Sequence, residues 1–505
     1  MGGACSRKRD QQVSEDSLHR GVSGRYSKSA SSKWLGTSFS RGADAKQGRG
    51  KCPSLMELCI HRVCEDIDKY STFSVLPRDI SQQIFDELVC LQRLTDVSLE
   101  AFRDCALQDL NMGEYPGLND CWMDVISSQG SSLLSLDLSG SDVTDPGLTN
   151  LKDCKNLQAL NLNYCDQITD CGVENISGLT NLTTVSFRRN NTLTAQGMSA
   201  LSGLINLAKL DLERCPKIHG GMVHLKGLAK LESLNINCCN CITDSDMKPL
   251  AGLTNLKGLQ ISSSKVTDYG VSFLKDLHSL LYLNLSRCCL TDDGCEKFSS
   301  LQSLKVLNLG FNEITDAILV HLKGLSYLES LNLDSCRIRD EGLIYLSGLH
   351  RLKSLELSDT EVGNNGIRHL SGLTGLTHLD LFGARITDSG TSYLQYFKNL
   401  RSLEICGGGL TDAGVKNIKD LTSLTLLNLS QNSHLTDKSL EAISGLTQLV
   451  SLNVSNSRVT STGLQHLKQL KNLKSLTLES CKVTANDIRK LQSTELSNLV
   501  NYRPE

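Results

Sequence analysis

The first nine residues carry groups that lipid-attachment chemistry uses. The chain begins Met1-Gly2-Gly3-Ala4-Cys5-Ser6 and continues with a basic run at residues 7–9. This spacing fits N-myristoylation of Gly2 after removal of the initiator methionine. A single myristoyl chain holds a protein only weakly on a membrane, so a palmitate on Cys5 and attraction of the basic run to anionic lipid would complete the anchor. The pattern predicts lipidation at Gly2 and Cys5, and a cytoplasmic protein held peripherally at the plasma membrane.

A second group of residues has the spacing of a helical docking motif. Residues 54–63 read Ser-Leu-Met-Glu-Leu-Cys-Ile-His-Arg-Val. Leu55, Cys59 and Val63 are four residues apart, so they share one face of a helix. Since the sulfur of Cys59 is small, a partner can approach this face closely. The segment predicts a short amphipathic helix that binds another protein.

Residues 75–88 predict a second amphipathic helix directly after the first. Leu76 and Pro77 stand at its start, and Ile80, Ile84 and Phe85 follow at helical spacing. A proline suits the first turn because the N–H of that position has no partner inside the helix. We expect these apolar residues either to bind a partner or to cover the end of the structure that follows.

Catalytic chemistry finds little support in the sequence. The chain has no G-x-x-x-x-G-K-[ST], G-x-S-x-G or H-E-x-x-H motif, and its 11 histidines are dispersed. We therefore predict no catalytic residue, no cofactor and no metal site. The formal net charge of −3 gives no global attraction to nucleic acid, and no nucleic-acid partner is expected.

A repeat fills most of the chain after these motifs. Leucines in the pattern L-x-x-L-x-L recur every 24 or 25 residues. This period and pattern predict an α/β leucine-rich repeat solenoid, a horseshoe of about 16 repeats with a helical N-terminal cap. Such a fold offers a long curved surface for binding. The opening leucines are Leu133, Leu157, Leu182, Leu207, Leu231, Leu256, Leu280, Leu304, Leu328, Leu352, Leu376, Leu400, Leu424, Leu449 and Leu473, with a looser copy at Leu107.

Each repeat predicts one short strand and one short helix. In the L-x-x-L-x-L section the leucines face the core, and the intervening side chains alternate outward. The phrase I/V/L-T-D-x-G-L follows, and its Thr and Asp suit a turn or a helix N-cap. We expect its glycines, such as Gly147, Gly270, Gly342 and Gly414, to allow close packing.

Six of the cysteines within the repeats share one position. Cys165, Cys215, Cys239, Cys288, Cys336 and Cys481 lie eight residues after an opening leucine, where other repeats have Asn190, Asn312 or Asn432. A side chain at this position points inward and can satisfy the backbone of the turn that leaves the strand. The cysteines are predicted to be reduced and structural, as in the cytosol. No histidine or second CxxC completes a zinc-like spacing around Cys238–Cys241.

These repeats resemble the cysteine-containing leucine-rich repeats of plant-type F-box/LRR proteins, which are ribonuclease-inhibitor-like. Residues 54–63 resemble a BC box, the helix that docks elongin C. Residues 75–88 are similar to a cullin box and equally to the first helix of an F-box. Both resemblances imply a cullin ubiquitin ligase, with elongin C or a Skp-type protein as the adaptor. They imply adaptor contacts by Leu55, Cys59, Val63, Leu76, Pro77, Ile80, Ile84 and Phe85.

The order of these motifs also resembles Zyg/Zer-type substrate receptors, with two departures. No second half of an F-box follows residue 88, because Leu94-Thr95-Asp96 already begins repeat-like sequence. No armadillo region follows the repeats, although that family uses this region to bind its degrons. A purely structural alternative is that residues 54–90 only cap the solenoid.

Exceptional side chains stand out on the predicted concave face. Most outward strand positions hold Asn, Asp or Ser. Arginines and exposed aromatic side chains are the usual anchors of protein interfaces, so they predict a target-binding site. The candidates are Tyr164, Arg188, Arg189, Arg214, Tyr282, Arg287, Phe311, His378 and Phe382.

The sequence divides into four parts. Residues 1–51, with eleven Lys and Arg against four Asp and Glu, predict a disordered basic tail that meets an anionic membrane. Residues 52–105 form the helical module, residues 106–492 the solenoid and residues 493–505 a C-terminal tail. The expected function is non-catalytic substrate recognition for an SCF-like or elongin-type ligase in ubiquitin-dependent degradation. The alternative is a membrane-tethered scaffold, and an activator of a small GTPase is a third, weaker interpretation.

Overall fold

Residues 53–503 are described by the structure, a computed structural model, and the strands in this range form one parallel sheet. Each strand pairs with the next one along the chain, with the register shifted by one repeat, as in Leu331↔Leu355. This arrangement confirms the predicted solenoid. The strands are β1 Asp109–Asn111, β2 Ser135–Asp137, β3 Ala159–Asn161, β4 Thr184–Ser186, β5 Lys209–Asp211, β6 Ser233–Asn235, β7 Gly258–Gln260, β8 Tyr282–Asn284, β9 Val306–Asn308, β10 Ser330–Asn332, β11 Ser354–Glu356, β12 His378–Asp380, β13 Ser402–Glu404, β14 Leu426–Asn428, β15 Ser451–Asn453, β16 Ser475–Thr477 and β17 Asn501–Arg503.

Short helices connect the strands, and the helices of successive repeats pack side by side. The α-helices are α1 Leu55–Glu65, α2 Arg78–Cys90, α3 Asp96–Glu100, α4 Met123–Ser128, α5 Asp145–Thr149, α6 Asp170–Glu174, α7 Asp244–Met247, α8 Asp268–Val271, α9 Leu319–Leu322, α10 Asn364–Leu370, α11 Asp388–Thr391, α12 Asp412–Lys416, α13 Asp437–Ile443 and α14 Ala485–Thr494. The 3-10 helices are Ile67–Lys69, Asp120–Trp122, Gly130–Ser132, Asn150–Asp153, Gly197–Gly203, Gly221–Leu225, Lys248–Gly252, Ser272–Leu274, Asp292–Ser300, Asp316–Ile318, Glu341–Leu346, Leu394–Tyr396 and Gly463–Gln469. None of the helices between residues 53 and 503 is both long and apolar enough to cross a bilayer.

The leucines of the repeat build one continuous core. In a typical repeat Leu328, Leu331 and Leu333 are completely buried. Each fully buried leucine removes enough apolar surface from water to contribute about 2 kcal/mol. Because the same three positions are buried in repeat after repeat, the core extends along the array.

The Thr-Asp-x-Gly phrase joins neighbouring repeats. Thr169 caps α6 and donates its backbone N–H and its hydroxyl to the carboxylate of Asp145, one repeat earlier, at 2.7 and 2.6 Å. Gly172 packs against that carboxylate so closely that a Cβ there would overlap it. The predicted close packing of these glycines is confirmed. The same pairs are Asp120–Thr144, Asp170–Thr194, Asp244–Thr267, Asp268–Thr291, Asp292–Thr315, Asp388–Thr411, Asp412–Thr436 and Asp437–Thr460.

The cysteines and asparagines eight residues after the opening leucine face inward as predicted. The thiol of Cys215 donates to the carbonyl of Phe187 at 3.1 Å, and burial raises the pKa of this thiol to about 12. In another repeat the side-chain amide of Asn312 donates to the carbonyl of Leu285 at 2.9 Å. Both residue types therefore satisfy a backbone carbonyl of the preceding repeat. Every cysteine between residues 53 and 503 is a free thiol.

The N-terminal helices cover the first strand. Ile60 and Cys64 of α1 are buried between α1 and the rest of the core, and Leu88 of α2 is completely buried. Gln82 of α2 donates to the carbonyl of Asp109 at 2.6 Å and accepts the N–H of Gln108 at 3.0 Å. An edge strand with unpaired backbone groups invites association with other strands, and Gln82 supplies partners for the N–H and the carbonyl of Asp109, the first residue of β1.

The solenoid extends beyond the predicted boundary at residue 492. Helix α14 continues to Thr494, and β17 pairs with β16 through Leu476↔Tyr502. The prediction of a C-terminal tail from residue 493 is therefore wrong for residues 501–503. The period gave no sign of this strand, because only the first leucine of the L-x-x-L-x-L pattern, Leu499, remains there.

Candidate functional site

Helix α1 presents an apolar surface to solvent. Ser54 caps this helix and forms a reciprocal capping box with Glu57, so the helix has a defined start. Leu55 is 78% exposed, Leu58 51% and Met56 48%. The predicted docking residues divide accordingly, since Leu55 and Cys59 are exposed, whereas Val63 is half-buried against the core.

The second predicted docking segment is largely part of the core. Pro77 is exposed and immediately precedes α2, while Leu76 and Ile80 are half-buried. Ile84 and Phe85 are buried, and the ring of Phe85 packs edge-on against that of Phe102 at 5.4 Å. The expectation of adaptor contacts by Ile84 and Phe85 is corrected, because neither side chain leaves surface for a partner. Helical spacing identifies an apolar face but does not say what covers it.

Several of the residues predicted for the concave face, which we call the strand face because the strands form it, belong to one column. We call this column the rim column. It consists of the residues seven positions after each opening leucine, and every one of them has a positive φ. Tyr164, Arg189, Arg214, Arg287 and Phe311 stand in it, with φ between 54° and 61°. The full column is Glu114, Gly140, Tyr164, Arg189, Arg214, Cys238, Ser263, Arg287, Phe311, Ser335, Asp359, Gly383, Gly407, Gln431, Asn456 and Ser480.

Two arginine–aromatic pairs form between adjacent positions of the rim column. The guanidinium of Arg189 lies over the ring of Tyr164, 5.5 Å from its centroid. The guanidinium of Arg287 lies over the ring of Phe311 at 3.7 Å. A cation within about 6 Å of an aromatic face is attracted to it. The structure therefore brings together four of the nine residues predicted for the strand face, in two matched pairs.

Arg188 and Arg214 have different surroundings from the paired arginines. Arg188 bonds Glu213 at 2.6 Å and lies 3.7 Å from Asp211, so its charge is largely compensated. Burial raises the pKa of Asp211 to about 6. Arg214 is exposed, and its Nε lies 3.9 Å from a carboxylate oxygen of Glu213.

The remaining three predicted residues do not join this cluster. Tyr282 is only 6% exposed, so its prediction as an exposed aromatic side chain is wrong. It lies inside β8, in register with Gly258 of β7 and Val306 of β9, whereas Phe311 follows its strand. His378 in β12 is exposed, and Phe382 after that strand is half-buried.

The sequence analysis missed a group of acidic residues on the strand face. Glu356 of β11, Asp380 of β12 and Glu404 of β13 occupy the same strand position in successive repeats, and Asp334 follows β10. Burial, followed by the charges of Asp334 and Asp380, raises the pKa of Glu356 to about 7. Burial and the charge of Asp380 raise the pKa of Asp334 to about 6. The signal for this group was the replacement of Asn by Asp or Glu at one register.

A polar groove runs along the starts of the strands. Its volume is about 970 Å³, and asparagines on its edge donate to carbonyls of the preceding repeat, as Asn206 does to Thr180 at 2.9 Å. Its lining residues are Leu134, Asn156, Gln158, Asn181, Thr183, Asn206, Ala208, Lys230, Glu232 and Asn255. Between residues 53 and 503 no group of three or more His, Cys, Asp or Glu side chains is arranged to hold a metal ion. The predicted lipidation sites Gly2 and Cys5 lie outside the described residues.

Comparisons with known proteins concern the repeat array. One family model described as leucine rich repeat matches residues 282–338 and 398–459, and a second with the same description matches residues 131–152, 153–177, 178–202, 227–251 and 373–394. No curated protein matches the sequence.

Two solved structures are similar in fold. A leucine-rich repeat protein of Leptospira interrogans is 21% identical with a TM-score of 0.54, over 73% of this chain and 95% of that chain. The mouse RP105/MD-1 complex includes a chain that is 20% identical with a TM-score of 0.54, over 79% of this chain and 71% of that chain.

Proposed function

The chain is a leucine-rich repeat protein, and from this premise we propose that it is the substrate-recognition subunit of a cullin-type ubiquitin ligase. In this role α1 binds the ligase adaptor, the strand face binds the target protein, and the chain itself performs no chemistry. Leucine-rich repeat solenoids typically act as binding scaffolds. The observation that carries the proposal is the exposed apolar face of α1.

The exposed face of α1 has the features of a helix that binds in the groove of a partner. Its other side already packs through Ile60 and Cys64, so the exposed Leu55 and Leu58 are not required for that packing. A contiguous exposed apolar patch marks an interaction site, and an amphipathic helix can bind such a face into the groove of a partner. The spacing of four residues between Leu55 and Cys59 is part of the BC-box resemblance.

The burial of α2 favours one class of adaptor over the other. Since Ile84 and Phe85 pack against the core, α2 serves as the cap of the solenoid. The docking function then falls to α1, whose BC-box resemblance implies elongin C. A Skp-type adaptor would need the apolar residues of α2, and most of that face is covered.

Gly2 and Cys5 complete the proposal by placing the ligase at a membrane. Dual acylation at these residues, together with the basic run at 7–9, would hold the chain on the cytoplasmic side of the plasma membrane. A Gly2→Ala form that remains in the membrane fraction would contradict this part of the proposal. Gly3→Ala is the matched control, because it leaves the acceptor glycine in place.

The adaptor proposal is tested by affinity purification of the full chain followed by mass spectrometry. The test variant is Leu55→Glu/Cys59→Glu, which places charge on the exposed face of α1 without touching the core. The control is Ile205→Glu, since Ile205 is 60% exposed but lies far from α1 in the sequence. We expect elongin C and a cullin with the wild type and the control, and neither with the test variant.

The second candidate function is a membrane-tethered scaffold without a ligase. The observation that favours it is the packing of Gln82, Ile84 and Phe85, which gives residues 54–90 a sufficient structural role as a cap. Purification of the wild type without any cullin component would favour this second function. Recovery of a Skp-type protein would keep the ligase and exclude the elongin-type adaptor.

A further inference from the structure

The residue types along the rim column show whether the fold requires a large side chain at this position. Glycine occupies the column at Gly140, Gly383 and Gly407, and small polar residues such as Ser263 and Ser335 occupy it elsewhere. The left-handed region costs nothing for glycine but is unfavourable for bulky side chains. A repeat of this type is therefore built at least as well with glycine in this position.

Five positions of the column nevertheless carry an arginine or an aromatic side chain. Tyr164, Arg189 and Arg214 are consecutive in the column, and Arg287 and Phe311 are also consecutive. Tyr164 and Phe311 are both 44% exposed, so neither ring is needed to fill the core. Strained backbone that persists at exposed side chains points to function.

The guanidiniums of the two arginine–aromatic pairs are available to a ligand. Among residues 53–503, no carboxylate forms an ion pair with Arg189 or with Arg287. The ring beneath each guanidinium holds its plane in one position, which reduces the entropy lost when a ligand binds. The donors along the edge of a guanidinium match the two oxygens of a carboxylate.

The separation of the two pairs sets the length of the ligand. Arg189 follows β4 and Arg287 follows β8, so they are four strand spacings apart, or about 19 Å. An extended chain covers that distance in about six residues, at about 3.3 Å per residue. Arg214 follows β5 between them, and its exposed guanidinium already lies 3.9 Å from the carboxylate of Glu213.

We propose that the Tyr164–Arg189 and Arg287–Phe311 pairs bind an acidic, unphosphorylated segment of the target protein in an extended conformation, with two carboxylates about six residues apart. This inference rests on the proposed function, because it specifies the target that the strand face recruits. Charge complementarity selects the acidic segment, since both guanidiniums lack a carboxylate partner within the described part of the chain. The exposed rings lie on the outer side of the two arginines in the column, so they provide apolar contact for the residues that flank the two carboxylates.

The test uses the full chain and a fluorescein-labelled peptide with two Glu residues about six positions apart, separated by Gly and Ser. The matched peptides carry Gln, or phosphoserine, at both positions. Binding is followed by fluorescence anisotropy at low ionic strength, where charge interactions are least screened. The test variant is Arg189→Gln/Arg287→Gln. The control is Arg351→Gln, because Arg351 lies over Tyr327 at 4.5 Å but precedes its strand rather than following it.

We expect the Glu peptide to bind the wild type and the Arg351→Gln control equally, and the double variant about tenfold more weakly. Equal binding of the Gln peptide, equal binding by the double variant, or no binding by the wild type would overturn the inference. Binding of the phosphoserine peptide alone would also overturn it, in favour of a phosphate site.

The experiments distinguish a failure of the ligase proposal from a failure of the peptide-binding inference. The Leu55→Glu/Cys59→Glu variant should bind the Glu peptide as the wild type does, because α1 is not part of the rim column. Loss of the peptide site with normal recovery of a cullin would remove only this inference. Peptide binding by the wild type without recovery of any cullin would contradict only the ligase proposal.

Discussion

The carboxylate of Asp246 is completely buried and bonds Nδ1 of His219, in the preceding repeat, at 2.8 Å. Elsewhere the Asp of the Thr-Asp phrase accepts from a Thr in the following repeat, as Asp145 does from Thr169. In the repeat of Asp246 the phrase Asp is Asp244, which makes this usual bond to Thr267. Asp246 instead occupies the usual Gly position of the phrase, and its carboxylate reaches back to the preceding repeat, where Gly220 stands at the usual Asp position. Gly220 also donates its N–H to Asp246 at 2.6 Å.

The bond between Asp246 and His219 predicts that the stability of the fold depends on His219. Substitution His219→Ala leaves one oxygen of a buried carboxylate with fewer donors, which should lower the free energy of unfolding by about 1–2 kcal/mol. Urea unfolding of the variant measures the loss. The exposed His434→Ala should leave the midpoint unchanged, and an equal loss in both variants would contradict the prediction.

The contact between Gly172 and Asp145 predicts a second effect on stability. A Cβ at residue 172 would overlap the carboxylate of Asp145, so Gly172→Ala must displace the bond to Thr169 and should cost about 1–3 kcal/mol. Gly252→Ala is the control, because no atom lies within 4 Å of a Cβ there. Urea midpoints of the two variants should differ, with only Gly172→Ala falling.

The rim column predicts that glycine is tolerated where a large side chain now stands. In Arg189→Gly the relief of left-handed strain, about 1–2 kcal/mol, should offset the greater entropy of the unfolded glycine, about 0.4–1 kcal/mol. Thermal unfolding should therefore show no loss of stability. The matched change Lys209→Gly, in the extended strand β5, should cost about 0.5–1 kcal/mol. A larger loss in Arg189→Gly than in Lys209→Gly would show that Arg189 serves the fold.

The acidic group predicts a fall in stability with rising pH. Because the pKa of Glu356 is raised to about 7, chiefly by burial, its protonated form is favoured in the folded chain. Its contribution is fully present below the ordinary glutamate range near pH 4.5 and is lost as the pH rises through 7. Glu356→Gln should reduce this loss and be more stable than the wild type at pH 8.

The control for this pH dependence is Glu296→Gln. The hydrogen bond from Lys297 holds the pKa of Glu296 below its ordinary value, so its contribution is lost only as the pH falls into the acid range. Urea midpoints between pH 5 and 8 should change in slope for Glu356→Gln and not for Glu296→Gln. Parallel curves for all three proteins would rule out the assignment to Glu356.

The bonds of Gln82 to the edge of β1 predict that this side chain both stabilises the cap and prevents association. Gln82→Ala removes the side chain that pairs with the edge of β1, so it should cost about 1 kcal/mol and expose a strand edge to association. Light scattering on mild heating should show earlier aggregation of this variant. Gln83→Ala, on the exposed side of α2, should behave as the wild type does.

The sequence by itself determined the features that depend on neighbours along the chain. The period of 24 or 25 residues identified the fold, the buried leucines such as Leu331, the inward thiol of Cys215 and the caps such as Thr169. Each follows from a strand or a turn whose side-chain direction is fixed by its own few residues.

The tertiary structure alone decided which side chains of different repeats and helices lie next to each other. Spacing did not separate Phe85, which is buried under the first repeats, from Leu55, which is exposed, because both lie on apolar helix faces. The left-handed rim column and the placement of Arg189 over Tyr164 depend on how consecutive repeats stack. These residues are about 25 positions apart in the chain, and only the packing of one repeat on the next fixes the distance between their side chains.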